Sequence, residues 1–245
     1  MNRSILEYWQ DMYIKELIKK GETEVCEMKK LIYKITMSKS KGYLIGKYSK
    51  AWYKKFETLS LKIFHEVCNK MPDIGNSIFS TNYQFAPSYI AWYRAMETLG
   101  IKQEEIVQNI WTMNERMMKV VPNSLMHLVG KSYLKSFRKK SKKHIERQKA
   151  GKLHPYDWQI EYKDIDSNCF EIEIKSCGIK KLAETFGAQG LLPGICRMDY
   201  LFASMMDNGF SRTKTLGDGD DCCNCWYELT GHCEWAPEKG FTDRK

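Results

Sequence analysis

The sequence predicts an α+β protein: a helical N-terminal region packed on a small antiparallel sheet, with a helical crossover in the C-terminal third. Three observations predict it. Apolar residues recur at helical spacing through most of residues 1–150. After Gly151 the period changes to strand-like alternation. A helical block between Gly178 and Met206 then separates two groups of short strands.

Taken in order, Ile5, Trp9, Met12 and Tyr13 stand at helical spacing and predict an opening helix over 5–20. A second run from Glu22 is helical as far as Ile35, with Lys41-Gly42 and Gly46 reading as breaks. From Tyr48 to Asn69 the stripe Trp52, Phe56, Leu59, Ile63 and Val67 predicts another helix, and Met71 to Asn76 a loop. Pro87-Ser88 opens a helix that Gly100 closes. Ile101 to Val120 follows, with Glu104 and Glu105 in the first turn, where carboxylates favour the helix dipole. Leu125 to Lys149 is a basic helix. Strands are predicted at Trp158–Tyr162, Cys169–Lys175, Phe210–Leu216 and Cys222–Leu229, and helices at Gly178–Phe186 and Leu191–Met206. The division is a helical region over 1–150 and an α+β region over 151–245, together forming one compact unit.

Composition narrows the function classes. With 43% apolar and 28% charged residues among 245, the chain has ordinary globular usage. A chain this long buries roughly 70% of the surface its unfolded form exposes, so neither metal nor disulfide is required for stability. No segment approaches the ~18–20 apolar residues of a membrane span, and Glu7, Asp11 and Glu16 interrupt the start, so no targeting signal is expected. The expectation is a cytoplasmic protein without membrane contact. Its nine cysteines are then thiols, ligands or nucleophiles rather than a disulfide framework.

A net charge of +9 draws heavily on Lys131, Lys135, Arg138, Lys139, Lys140, Lys142, Lys143, Arg147, Lys149 and Lys152. A basic helix can follow a phosphate backbone. Here it lacks the aromatic pattern of a single-strand binder, so a solvated helix face is the plainer reading and no nucleic-acid partner is expected.

The chemistry concentrates after Phe170. Cys196 and Asp199 are three apart on a predicted helix and share a face. A thiol attacks as thiolate, which a carboxylate disfavours, so Asp199 is better cast as an orienting group or a base for water. Spacing alone equally describes a structural Cys beside a surface Asp. Cys177 stands where a strand hands over to a helix, whose N-terminus lowers a thiol pKa, though a small residue at a turn is the plainer reading. On the strand Arg212 to Thr215, Arg212 faces the same side as Lys214, and its fork suits a substrate carboxylate or an internal Asp. Cys223, Cys225, His232 and Cys233 are zinc-type ligands at poor spacing. The run Asp218 to Asp221 lacks a calcium-loop pattern. No phosphate loop, nucleophile elbow or zinc-protease motif occurs.

Four spaced pieces in order carry a resemblance: Cys177-Gly178-Ile179 with Lys181-Leu182-Ala183, Leu191-Leu192-Pro193-Gly194-Ile195-Cys196-Arg197-Met198-Asp199, Phe210-Ser211-Arg212-Thr213-Lys214-Thr215-Leu216, and Gly219-Asp220-Asp221-Cys222-Cys223-Asn224. With them, residues 170–227 resemble the L-2-amino-thiazoline-4-carboxylic acid hydrolase family. Asn224 and Cys225 depart from that family's usual Asp and Phe. The resemblance implies a cysteine-dependent, metal-free, cofactor-free C–N bond hydrolase that opens a small cyclic amidine bearing a carboxylate, giving N-carbamoyl-cysteine for the namesake. It places Cys196 and Asp199 as catalytic residues, with Cys177 or Cys223 as rival nucleophiles. Cys177, Arg212, Thr213, Asp220 and Cys223 would line the substrate site, Arg212 holding the carboxylate. The expected partner is a small anionic substrate; oligomeric state is open, a homodimer being one option. The alternative is a non-catalytic domain sensing a small ligand, a metal or thiol chemistry.

Overall fold

A computed structural model describes residues 24–233. The helix expected over 5–20 lies outside the described residues.

Five helices come first among the described residues: α1 (Glu24–Lys47), α2 (Lys50–Lys70), α3 (Ser80–Thr98), α4 (Gln103–Met118) and α5 (Asn123–Lys149). Helix α1 continues through Gly42 and Gly46, where the sequence suggests a break. A mid-helix glycine costs about 1 kcal/mol against alanine, and the burial of Tyr33, Met37 and Leu44 along the same helix outweighs it. Ser49 caps α2 by accepting the Trp52 N–H at 3.0 Å. The buried stripe of α2 is Tyr53, Phe56, Ser60, Phe64 and Val67, rotated by about one residue from the expected one. Helix α3 begins at Ser80, a full seven residues before Pro87, which sits inside it. That interior proline is tolerated because α3 is enclosed on most sides, with Ala86, Ile90, Ala91, Trp92 and Met96 all out of solvent.

The second part supplies a four-stranded antiparallel sheet in the order β1-β2-β4-β3, from β1 (Gln159–Asp164), β2 (Cys169–Ser176), β3 (Gly209–Ser211) and β4 (Cys223–Glu228). Between β2 and β3 the chain crosses through α6 (Gly178–Thr185), α7 (Leu192–Cys196) and α8 (Met198–Met205). The α+β arrangement is therefore observed. Register sets which side chains face inward: Phe170 opposes Tyr227, Ile172 opposes Cys225, and Ile174 opposes Cys223. These residues join Tyr83, Trp92, Phe137 and Trp158 in one large core that links helices and sheet.

Two expected elements are interrupted. The single helix over 191–206 divides at Arg197, because that guanidinium is buried and donates to the Pro193 carbonyl and to Asp218. The strand over 210–216 stops at Ser211. Beyond it Arg212 turns inward while Lys214 is exposed beside Asp221, so the two do not share a face. At the β2–α6 junction Gly178 is required by close approach: a Cβ there would lie 2.3 Å from the Tyr156 carbonyl oxygen and 2.7 Å from the Trp158 ring.

Candidate active site

The interruption between α7 and α8 builds the site. Cys196 ends α7, Asp199 lies in the first turn of α8, and Arg212, just past β3, ties them together. The Arg212 guanidinium donates to Asp199 Oδ2 at 2.9 Å and to the Cys196 carbonyl at 2.5 Å. It is flanked by the rings of Tyr200 and Phe210, at 5.3 and 5.4 Å from their centroids. Arg212 thus faces inward and ties the α7–α8 turn through Asp199 and the Cys196 carbonyl. Cys196 and Asp199 belong to two short helices held by that brace, not to one continuous helix face.

A second buried pair fixes the loop that covers Cys196. Arg197 grips both carboxylate oxygens of Asp218, at 2.8 and 2.6 Å, with almost no solvent exposure on either side chain. This holds the one-turn 3-10 helix Leu216–Asp218, and Gly219 with φ 91° lets the chain leave it. Gly217 rests on the Cys196 sulfur: a Cβ on Gly217 would be 2.6 Å from Cys196 Sγ.

Thr215, fully buried, begins that turn. Its Oγ1 accepts the Gly217 N–H at 3.3 Å and lies 3.4 Å from Cys223 Sγ. Cys223 Sγ also accepts the Leu216 N–H at 3.2 Å. Asp220 accepts the Thr215 N–H at 3.0 Å and closes the turn from the other side.

Burial decides the state of the thiols. It raises Cys196 far above the ordinary thiol range, against the downward pull of the Arg212 charge and of a hydrogen bond with Thr215; Cys223 and Cys177 raise it further. Burial likewise raises Cys223, opposed by the Thr215 and Leu216 hydrogen bonds and by Arg212. Cys177, the N-cap residue of α6, is pushed up to about 11 by burial in spite of backbone N–H groups at the helix start. The pKa lowering expected from that helix terminus is therefore overcome by desolvation. Cys177 and Cys196 nonetheless keep part of their surface exposed, whereas Cys222, Cys223, Cys225 and Cys233 are buried.

The electrostatic neighbours complete the picture. Burial pushes Tyr133 of α5 up to about 12, and the Asp199 charge adds to it. Burial raises Tyr227 of β4 strongly, with Cys225, Asp199, Arg212 and Tyr133 acting on it as well. Two phenols, one from the helical half and one from the sheet, therefore share the Asp199 environment.

The structure brings together Cys177, Cys196, Asp199, Arg212, Asp220 and Cys223. It does not bring Thr213 to the thiols. Thr213 is exposed and engages Asn224: its N–H donates to Asn224 Oδ1 at 3.0 Å, and its hydroxyl accepts from Asn224 Nδ2 at 2.8 Å. Asn224 Oδ1 also accepts the Lys214 N–H at 2.7 Å, so Asn224 fastens the outer side of the turn. The zinc-type quartet does not converge. Cys223 and Cys225 face the core, Cys233 donates to the Tyr200 and Phe210 carbonyls at 3.6 Å, and His232 is exposed. Among the described residues no group of three or more His, Cys, Asp or Glu side chains is placed to hold a metal ion. Nor, among them, is any helix long and apolar enough to cross a membrane. Sequence reasoning missed Arg197, Asp218, Thr215, Gly217, Tyr133 and Tyr227. Arg197 and Thr215 stand within the motif pieces and Asp218 within the acidic run, but spacing gave none of them a role. A separate cavity of about 370 Å³, lined by Lys39, Thr112, Glu115, Arg116 and Lys119, lies between α1 and α4 and contains no thiol.

The α+β scaffold thus holds hydrogen-bonded thiols beside a braced Arg–Asp pair. The chain belongs to the L-2-amino-thiazoline-4-carboxylic acid hydrolase family, whose model matches residues 81–227, more than half of it. No curated protein and no solved structure matches the chain.

Proposed function

We infer that the protein hydrolyses a small cyclic amidine of the 2-amino-thiazoline-4-carboxylate type, with Cys196 as nucleophile. One observation carries this reading: Cys196 is the partly exposed thiol whose sulfur touches the Thr215–Gly217 turn and whose carbonyl is held by Arg212. Family membership supplies the reaction class.

The steps balance with one water. Cys196 sulfur adds to the amidine carbon between the ring nitrogen and ring sulfur. The ring C–S bond breaks, and the departing sulfur becomes the thiol of a cysteine unit bound to the enzyme as an isothiourea. Water, positioned by Asp199, displaces Cys196 and leaves an N-carbamoyl group. Retention of nitrogen in that product means that ring opening itself breaks a C–S bond rather than a C–N bond. Because Cys196 rests as a neutral thiol, its proton must leave as the new bond forms. Arg212 acts by holding the α7–α8 turn, so that Cys196 and Asp199 keep their relative places.

Turnover of L-2-amino-thiazoline-4-carboxylate, followed by release of free thiol, tests the reading. Wild-type protein should turn over, and Cys196→Ser should lose about 10³-fold or more. Full activity in Cys196→Ser, or no turnover by the wild type on a panel of cyclic amidine carboxylates, overturns it.

A further inference from the structure

Two ion pairs stand at the α7–α8 turn, and their four side chains differ in what solvent reaches. Arg197 and Asp218 keep 0% and 2% of their side-chain surface exposed, and Arg212 keeps 2%, whereas Asp199 keeps 39%. The Arg212 charge is directed inward, onto Asp199 Oδ2 at 2.9 Å, the Cys196 carbonyl at 2.5 Å, and the rings of Tyr200 and Phe210. Because one guanidinium holds both, the exposed carboxylate and the partly exposed Cys196 belong to one braced turn. Among these four groups, the charge that solvent meets is therefore the negative one. An amidinium is planar and carries N–H donors side by side, so it pairs with a carboxylate as a guanidinium does. A lactam of the same shape turns a carbonyl oxygen to that carboxylate instead, and two acceptors repel.

We propose that Asp199 determines substrate specificity by receiving the protonated amidine of the ring, so that the site selects a cyclic amidinium over the neutral lactam of the same shape. The proposal rests on the reading of this site as one for cyclic amidine carboxylates. The substrate is then recognised as a zwitterion and not as a simple anion. Its amidinium lies at Asp199, and like-charge repulsion keeps its carboxylate away from that residue. The pairing brings the amidine carbon, which both nitrogens share, to the turn that carries Cys196. A carboxylate has two oxygens with about four lone-pair sites, so holding an amidinium N–H leaves room for the water that Asp199 positions later.

The test uses two probes that C–S ring opening cannot consume, because each has a carbon in place of the ring sulfur. One is 2-amino-1-pyrroline-5-carboxylate, an amidinium at neutral pH; the other is pyroglutamate, the lactam of the same shape. Their dissociation constants are read by isothermal titration of the whole wild-type protein. The amidine should bind at least about tenfold more tightly, as a charged hydrogen bond set against a repulsion predicts. In Asp199→Asn that preference should fall to within about threefold. Far-ultraviolet circular dichroism shows whether the variant is folded, and the wild-type comparison, which needs no variant, stays decisive if it is not. Equal affinities, tighter binding of pyroglutamate, or binding of neither probe overturns the proposal. So does an undiminished preference in folded Asp199→Asn. Absence of thiazoline turnover with the amidine preference intact would instead remove the proposed reaction and leave the selection by Asp199 standing.

Discussion

Arg197 and Asp218 form a two-pronged ion pair in the protein interior, 21 residues apart in sequence, with guanidinium-to-carboxylate distances of 2.8 and 2.6 Å. The pair divides one expected helix into two and pins the turn that lies on Cys196. Removing either partner takes the two-pronged contact away from a buried charge. Asp218→Ala should therefore lower stability by about 3–5 kcal/mol, measured by urea unfolding. A loss under about 1 kcal/mol would mean that the turn relaxes to let water reach Arg197.

Arg212 offers a different test, because its fork joins a side chain to a backbone carbonyl. Arg212→Lys keeps the charge but cannot hold Asp199 and the Cys196 carbonyl in one plane. If Arg212 acts by holding the turn, turnover should fall by about tenfold or more with little change in KM. A large rise in KM at unchanged kcat would return Arg212 to the role of carboxylate anchor.

Gly217→Ala inserts a methyl group 2.6 Å from the Cys196 sulfur. Overpacking of this kind costs about 1–3 kcal/mol, and the thiol must shift its rotamer to accommodate it. Cys196 alkylation and turnover should both drop while the protein remains folded. Alkylation at the wild-type rate would show that the cover over Cys196 opens freely.

The buried thiols predict a sensitivity to alkaline pH. Burial raises Cys177 to about 11 and Cys233 to about 11, from an ordinary value near 9. Both groups are acids whose folded pKa exceeds the unfolded one. Their contribution is complete below about pH 9 and is lost as pH rises through about 11. The urea midpoint should hold from pH 7 to 8.5 and then decline, and Cys233→Ala should decline less steeply. A midpoint that is flat up to pH 11 contradicts the assignment.

The sequence legibly carried the change of period near Gly151, the β2 alternation from Cys169, and the motif pieces around Cys196, Arg212 and Cys223. It misplaced boundaries where burial overrides local preference. Gly42 and Gly46 lie inside α1, and Pro87 lies inside α3, because enclosed helices tolerate poor helix formers. Spacing also placed Arg212 beside Lys214 on one strand face, whereas Arg212 turns inward past the end of β3.

What the sequence determined by itself was therefore periodic and local: an α+β order of elements, the inward residues of β2 and β4, and which segment holds the thiols. Those properties follow from backbone geometry that repeats every 3.6 or every two residues. What only the tertiary structure decided was pairing across distance. Arg197 with Asp218, Arg212 with Asp199, and Thr215 with Cys223 are separated by loops whose path no periodicity encodes. Desolvation, which overcame the helix terminus at Cys177 and keeps Cys196 neutral, is likewise a property of the surrounding volume and not of neighbouring letters.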